Sequence, residues 1–516
     1  MATRETVLLP PREADPDLRA RHIATGIRWL TVQNAVNSGL GFLFLTLLLR
    51  LMSPSAYGLY SAAVLVTGIG SSVASFGLQY AATRFVAFFS HDEGESRVVS
   101  RSIVALSLVF ASVATTIFVV LSPAISVYFT KSAASAWVFA ACGAWLFTST
   151  ISGIFQGLVQ GTRNYQSLAR ILMGANLAIV LVTVLGLMAL HSVIVPIAAW
   201  VVYGAVISVW SLSLTRRRLL GPTSERADTR TVRQVLKYSM PLGIAGIVTY
   251  ATGAADPIVV GGFLSPAQMG AYYAAIAISG GLGVILFTPL NTAFFPETSK
   301  DAGDPQQLSK GLRLAFRYTG IALIPVSFAL VGLSTQMLRL FTGGAATYIL
   351  ANPSLQMMSG FFLFVALQGI LTSLLLSLGK TTQVMAIGIV TVSLDLVLSL
   401  VLVPSFGLLG AATSRTLVDV AGFVMALFLT KSYLSGVIDL GFHFRVLTAS
   451  SVMLAVLQSL SKFVSHRVIT LLPYGLIGGA VLLISARALH LLTEEDKRYI
   501  EHFMPGGLGR YVRRLL

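Results

Sequence analysis

Apolar runs long enough to cross a bilayer follow one another from residue 27 to residue 491, separated by short polar turns. Fourteen can be delimited: 27–51, 57–80, 101–127, 133–159, 169–190, 192–214, 238–263, 267–290, 314–335, 352–378, 383–403, 407–430, 445–461 and 468–491. A helix needs about 20 predominantly apolar residues to cross hydrocarbon, whereas a barrel strand needs about 10 alternating ones, so these runs predict helices. Closely spaced pairs, such as 169–190 and 192–214, predict helical hairpins. The expected fold is an all-α polytopic membrane protein.

The pattern repeats. Ser53-Pro54, Gly58, Tyr60, Ala62-Ala63, Gly68, Leu78 and Ala81 return 212 positions later as Ser265-Pro266, Gly270, Tyr272, Ala274-Ala275, Gly280, Leu290 and Ala293. That is nine identities over 29 ungapped positions, with near-matches such as Val64 with Ile276 and Gln79 with Asn291. The period is far too long for a solenoid and reads as two homologous halves. Spans 1–6 and 7–12 form the halves. Six is even, so both enter the membrane in the same sense and a pseudo-two-fold axis along the membrane normal should relate them. Spans 13 and 14 have no partner and read as an appended hairpin.

Charge placement changes the picture further. Only 11% of residues are charged and 55% are hydrophobic, which excludes a sizeable soluble domain. With the N-terminus in the cytoplasm, 30 of the 36 Lys and Arg fall on the inner side, five (Arg50, Lys131, Arg339, Lys462, Arg467) on the outer side, and Arg415 within a span. Inner loops rich in Lys and Arg are the ordinary signature of membrane orientation, so the net charge of +16 does not point to nucleic acid. The expected organisation is a cytoplasmic tail (1–26), a six-helix bundle (27–215), a cytoplasmic linker (216–237), a second six-helix bundle (238–430), helices 13 and 14 (431–492) and an interfacial cytoplasmic tail (493–516). The first 22 residues lack the apolar core of a secretory signal and are expected to stay on. Thr493 and Asp496 could form a capping box on a short tail helix. The one cysteine, Cys142, lies in an apolar run and cannot form an internal disulfide.

The turn LLLRLMSPSAYGLYS, with Arg50, Leu51, Pro54 and Tyr57-Gly58, resembles the polysaccharide-export and oligosaccharide-flippase family, part of the multidrug/oligosaccharidyl-lipid/polysaccharide exporter superfamily. FGLQYAATRFVA (Gly77, Arg84), DPIVVGGFLSPAQMGAYYAA (Asp256) and LVPSFGLLGAATS (Pro404, Gly407, Gly410) add to the likeness. The resemblance implies translocation of a polyprenyl-linked sugar through a cavity that opens alternately to each side. It implies lipid-linked oligosaccharide and membrane lipids as partners, with glycan polymerases or glycosyltransferases as candidate associates. The chain departs from the family pattern at Asp395, where an Asn is frequent, and at Arg415 and Asp419.

Intramembrane charges mark the candidate chemistry, because they are costly and face cavities or one another. Asp395 lies 11 residues before the hairpin tip near Phe406, and Arg415 and Asp419 lie 9 and 13 after it. At about 1.5 Å per residue these three share a depth. They predict a cluster that either docks two helices or binds a proton or cation. Asp256, followed by Pro257, is a second candidate for cation coupling or for pairing within an outer gate. A lipid phosphate calls for guanidinium groups. Arg84 is the first choice, with Arg163 and Arg50 behind it, and ordinary inner-face anchoring is the competing reading for Arg84 and Arg163. Gln33, Asn34 and Asn37 are expected to offer cavity partners to sugar hydroxyls. No Walker loop or metal-ligand spacing occurs, so no resident cofactor is expected, and coupling to an Na⁺ or H⁺ gradient is left open. A drug or metabolite exporter of the same superfamily is one alternative, and a membrane glycosyltransferase or polymerase is the other. The latter would need catalytic carboxylates on a substantial loop, and the outer loops carry none.

Overall fold

The computed structural model describes residues 16–221, 229–300, 305–434, 437–463 and 470–491. These form sixteen α-helices and, among the described residues, no strand. They are α1 (Pro16–Leu51), α2 (Pro54–Ser75), α3 (Leu78–Phe88), α4 (Glu93–Thr130), α5 (Ala136–Gly161), α6 (Tyr165–Leu190), α7 (Ile194–Leu219), α8 (Thr229–Phe263) and α9 (Pro266–Lys300). There follow α10 (Pro305–Thr342), α11 (Ala346–Ile349), α12 (Asn352–Gly360), α13 (Phe362–Ser377), α14 (Thr381–Thr430), α15 (Leu440–Phe463) and α16 (Leu471–Ala488). Helices satisfy every backbone hydrogen bond within the segment, which hydrocarbon demands.

Twelve stretches of described residues are long and apolar enough to cross a membrane. One of them, Thr381–Tyr433, holds two spans. Helical geometry breaks at Gly407 (φ 59°, ψ −132°), and Ser399 then meets Ser414 at 2.9 Å across the antiparallel arms of α14. With the two arms counted separately, and with the 35-residue helix α9 over the apolar run 267–290, each of the fourteen apolar runs of this multi-pass membrane protein is predominantly helical. Burial confirms the solvent: Val109, Val113, Ile117 and Val120 form an exposed apolar stripe on α4, while Ser100, Ser107 and Ser122 are buried. That inside-out distribution suits lipid on one face and packed helices on the other.

Contacts divide the chain into two compact units. The first contains α1 up to Phe44 and the stretch Ala62–Tyr250. α5 is its central helix, packed on α3, α4 and α7. Gly153, Gly157 and Gly161 lie every fourth residue on α5 and let α3 approach closely. A Cβ at Gly157 would come within 2.5 Å of the Gln79 carbonyl oxygen, and one at Gly161 within 2.7 Å of Val86 Cβ. The Thr83 hydroxyl donates to the Gly157 carbonyl at 3.2 Å across the same contact. Small residues at this spacing are the usual means of tight helix association in membranes.

The second unit contains Leu45–Ser61 and the chain from Ala251 onward. Its core gathers Leu308, Leu312, Phe316, Ile370, Leu374 and Ile387 around α13. The last two spans dock on α10, with Leu333, Met453, Leu457 and Tyr474 in one buried cluster. The repeated turn also meets its own copy in this unit. A Cβ at Gly58 would fall on the Pro266 carbonyl, and one at Gly270 on the Pro54 carbonyl. The repeated glycines and Ser-Pro turns are thus two sides of one symmetric helix crossing.

Several boundaries differ from the hydropathy reading. Span 2 is not one helix: α2 ends at Ser75, Phe76 and Gly77 take positive φ (41° and 75°), and α3 follows. Apolarity runs through the break and hides it. A Cβ at Gly77 would come within 2.7 Å of the Gly243 backbone nitrogen, so backbone-to-backbone contact with α8 keeps the site glycine. α4, α8 and α10 begin eight or nine residues earlier than their apolar runs, because polar first turns leave no hydropathy signal. α1 likewise begins at Pro16, inside the expected tail, and Arg230, Arg233 and Lys237 ride on α8 rather than on a linker. Residues 1–15 and 222–228, and the expected tail 493–516 with its capping box, lie outside the described residues.

Candidate functional site

Asp256, Asp395, Arg415 and Asp419, charged residues within the spans of the second unit, gather where α8, α9 and both arms of α14 converge. Asp256 on α8 is fully buried. Its carboxylate accepts two hydrogen bonds from Arg415 Nη1, at 2.8 and 2.9 Å, and a further short one from the Tyr272 hydroxyl. Asp395, 2% exposed, sits beside this pair among neutral donors. The Ser414 hydroxyl reaches its Oδ1 at 2.9 Å, the Ser399 hydroxyl at 3.3 Å, and the Asp256 backbone N–H reaches its Oδ2 at 3.3 Å. Asp419 lies one turn beyond Arg415 and forms no ion pair with it among the described residues. Arg415 therefore joins Asp256 and not the acids of its own hairpin. Of the three carboxyl groups in the cluster, one is paired with the guanidinium.

The first half has no counterpart to this cluster. The repeat offset carries Asp256 onto Phe44 and Tyr272 onto Tyr60. In the first unit Phe44 packs edge-on to Trp200 at 6.2 Å, which stacks on Trp145 at 5.6 Å and meets Tyr203 at 5.1 Å. One copy of the bundle has an aromatic cluster where the other has acids and an arginine.

Arg84 lies in the first unit on α3, beyond the Phe76–Gly77 break. It is exposed, and its guanidinium carbon stands 4.3 Å from the centroid of the Tyr238 ring. One turn before it, Tyr80 lines a cavity of about 410 Å³ beside the break. Ser72 and Ser75 line it from α2, and Gly246, Thr249 and Tyr250 from α8. The Tyr250 hydroxyl is held against the α2 backbone, 3.3 Å from the Leu65 carbonyl. This wall offers hydroxyls and aromatic faces and no charged side chain. On α1, Gln33 is 9% exposed, Asn34 is exposed, and Asn37 carries a buried amide oxygen with no hydrogen bond. Gln33 and Asn37 are four apart and share a helix face, while Asn34 points about 100° away.

The three arginines chosen for phosphate have separate local surroundings. Arg50 belongs to the second unit, where Nε and Nη2 donate to the Leu340 carbonyl at 3.2 and 2.6 Å. It thereby caps the C-terminal end of α10, whose last carbonyls have no intrahelical donor. Arg163 follows α5 in a left-handed turn (φ 59°), exposed at the rim of a different cavity.

Sequence reasoning did not name Tyr272, Ser399, Ser414 or Tyr238 as site residues. Tyr272 was already marked by the repeat. Ser399 is four residues from Asp395 and could have been found from helical spacing alone, whereas Ser414 meets Asp395 from the opposite arm, which spacing does not reveal. Nothing in the sequence singles out Tyr238 as the partner of Arg84.

The profile of a family described as polysaccharide biosynthesis protein matches residues 47–345. A probable low-salt glycan biosynthesis flippase of Haloferax volcanii, Agl15, is 24% identical over 258 residues, which are 49% of this chain and 52% of that protein. A probable flippase of the same organism, AglR, is 27% identical over 174 residues, 33% of this chain and 36% of that one. The chain thus spans about half and about a third of the curated relatives it matches. The fold is similar to that of the lipid II flippase MurJ in its inward closed conformation, with a TM-score of 0.73 at 15% identity, covering 90% of this chain and 99% of that one. It is also similar to an inward-facing multidrug resistance MATE family transporter of the MOP superfamily, with a TM-score of 0.62 at 14% identity, covering 79% and 98%. At these identities the structural likeness is one of fold. The profile spans more than half of the residues, and the chain belongs to the polysaccharide biosynthesis protein family.

Proposed function

We propose that this protein is a flippase that moves a polyprenyl-(pyro)phosphate-linked oligosaccharide or polysaccharide repeat unit across the cytoplasmic membrane by alternating access, with its N- and C-termini in the cytoplasm. The observation that carries the reading is the pairing of Arg84, exposed on the Tyr238 ring, with the hydroxyl-lined cavity one turn away. A guanidinium suits the phosphate, and serine, threonine and tyrosine side chains suit uncharged sugars. The polyprenyl tail would stay in lipid. The two curated relatives are named as flippases, which supports the same conclusion. Glycan polymerases or glycosyltransferases are the partners this role calls for.

Coupling to an Na⁺ or H⁺ gradient belongs to the acid cluster. Arg415 already neutralises Asp256, so Asp395, whose hydrogen-bond partners are neutral, and Asp419, which forms no ion pair among the described residues, are the acids open to a mobile cation or proton. A multidrug exporter is the second reading, and the MATE-like fold favours it. An exposed guanidinium beside the cavity repels cationic drugs, which favours the lipid-phosphate substrate. No bond of the substrate is made or broken in this role, so we assign the protein no catalytic residue.

The test is reconstitution in liposomes with a fluorescent polyprenyl-diphosphate oligosaccharide, whose exposed label is quenched from outside. Label should change leaflets with the parent protein and stay put with Arg84→Ala. Equal movement in both would remove Arg84 from the path, and no movement with the parent would sink the flippase reading.

A further inference from the structure

We infer that the first unit carries a second anion site, distinct from Arg84, which binds the phosphate ester of an anionic membrane lipid at the cytoplasmic surface. Four chain ends converge there: the end of α3, the start of α4, the end of α5 and the end of α7. The Lys and Arg count assigns all four to the inner side. Between them lies a cavity of about 360 Å³, at the lower end of the range for small-ligand pockets. Its floor belongs to the buried core through Val86 and Leu219. Two guanidiniums, Arg163 and Arg218, line it together with His91.

The single carboxylate on the wall, Glu93, is engaged at 2.8 Å by Arg97. Arg97 Nε also donates to the Arg218 carbonyl at 3.2 Å, which ties the start of α4 to the end of α7. The wall itself carries two guanidiniums against this one paired carboxylate, and guanidiniums on separate elements can grip a tetrahedral oxyanion in the bidentate manner that a lysine cannot. Arg163 holds its place in a left-handed turn (φ 59°), where a residue with a Cβ is uncommon. Ordinary inner-face anchoring calls for basic residues along exposed loops; it does not call for a cavity with cations on its wall. The cytoplasmic leaflet concentrates anionic headgroups beside basic clusters, which identifies the bilayer as the source of the phosphate. This inference does not depend on the flippase reading.

The experiment measures binding, not translocation. Full-length protein in neutral detergent is titrated with phosphatidylglycerol, with phosphatidylcholine and with inorganic pyrophosphate, and melting is followed by intrinsic fluorescence. Phosphatidylglycerol should stabilise the parent saturably and phosphatidylcholine should not. Arg163→Gly relieves the left-handed strain, so its melting temperature without ligand should be equal to or above that of the parent. Even so, it should bind phosphatidylglycerol at least 10-fold more weakly, as should Arg218→Gln. Arg445→Gln, on the same side but in the other unit, should bind like the parent. Stabilisation by phosphatidylglycerol alone supports a lipid site. Stabilisation by pyrophosphate at similar concentrations keeps the phosphate site and overturns the bilayer as its source. Unchanged binding in Arg163→Gly, or an equal loss in Arg445→Gln, overturns the site.

Discussion

Arg415 Nη1 lies 2.8 Å from one carboxylate oxygen of Asp256 and 2.9 Å from the other, joining residues 159 positions apart in the chain. Asp256 is fully buried, while the Arg415 side chain keeps 24% of its surface. Removing one member of a buried pair costs about 3–5 kcal/mol, because a charge is left unpaired. Arg415→Gln and Asp256→Asn should each lower the stability of the detergent-solubilised protein by roughly that amount. Asp256→Asn/Arg415→Gln should lose less than the sum of the two, since neither charge is then stranded. Additive losses in this double-mutant cycle would mean that the pair has no coupling energy.

How far the sequence leads is clearest at this pair. Distance from the hairpin tip put Asp395, Arg415 and Asp419 at one depth, and Asp395 does lie beside the Asp256–Arg415 pair. Depth along a helix says nothing about azimuth or about which other helix stands opposite. Arg415 consequently meets Asp256 on α8, and Asp395 is served by serines. The spans were legible because hydrocarbon imposes a length on them, and the duplicated halves because nine identities survive. The break at Phe76–Gly77 was not, since it interrupts geometry without interrupting apolarity. The groove that Gly153, Gly157 and Gly161 make for α3 was not read from the sequence either, because a spacing of small residues does not say which helix fills it.

Asp395 separates a coupling role from a docking role. Asp395→Asn keeps the size and one acceptor oxygen, so Ser414 and Ser399 can still donate, while its amide nitrogen replaces the oxygen that accepts from the Asp256 N–H; the fold should survive with a loss of about 1–3 kcal/mol. Under the proposed coupling, leaflet exchange in liposomes should lose its response to an imposed Na⁺ or H⁺ gradient. A variant that responds to both gradients as the parent does would leave Asp395 as part of the helix packing.

Charge alone is not what Arg84 is proposed to supply. Its guanidinium carbon stands over the Tyr238 ring, 4.3 Å from the centroid, an arrangement worth about 0.5–1 kcal/mol at an exposed site. Lysine keeps the charge and loses the planar fork. Arg84→Lys should therefore retain part of the leaflet-exchange rate, Arg84→Ala none, and Tyr238→Leu should fall between them by leaving the arginine unplaced. Full activity in Arg84→Lys and Tyr238→Leu would reduce the requirement to a positive charge.

The symmetric crossing at Gly58 and Gly270 makes the last prediction. A methyl group on either glycine meets a proline carbonyl of the opposite copy, Pro266 or Pro54, and backbone cannot step aside as a flexible side chain can. Gly58→Ala and Gly270→Ala should each cost about 1–3 kcal/mol, the usual range for overpacking. The repeat also supplies the control: Gly280, equally helical and equally repeated, has open space around its Cβ position. Gly280→Ala should be neutral or should stabilise by up to about 1 kcal/mol through helix propensity. Melting curves of the three variants in one detergent decide the matter. If Gly58→Ala and Gly280→Ala melt alike, the crossing is not a tight contact, and the retention of glycine at both copies needs another cause.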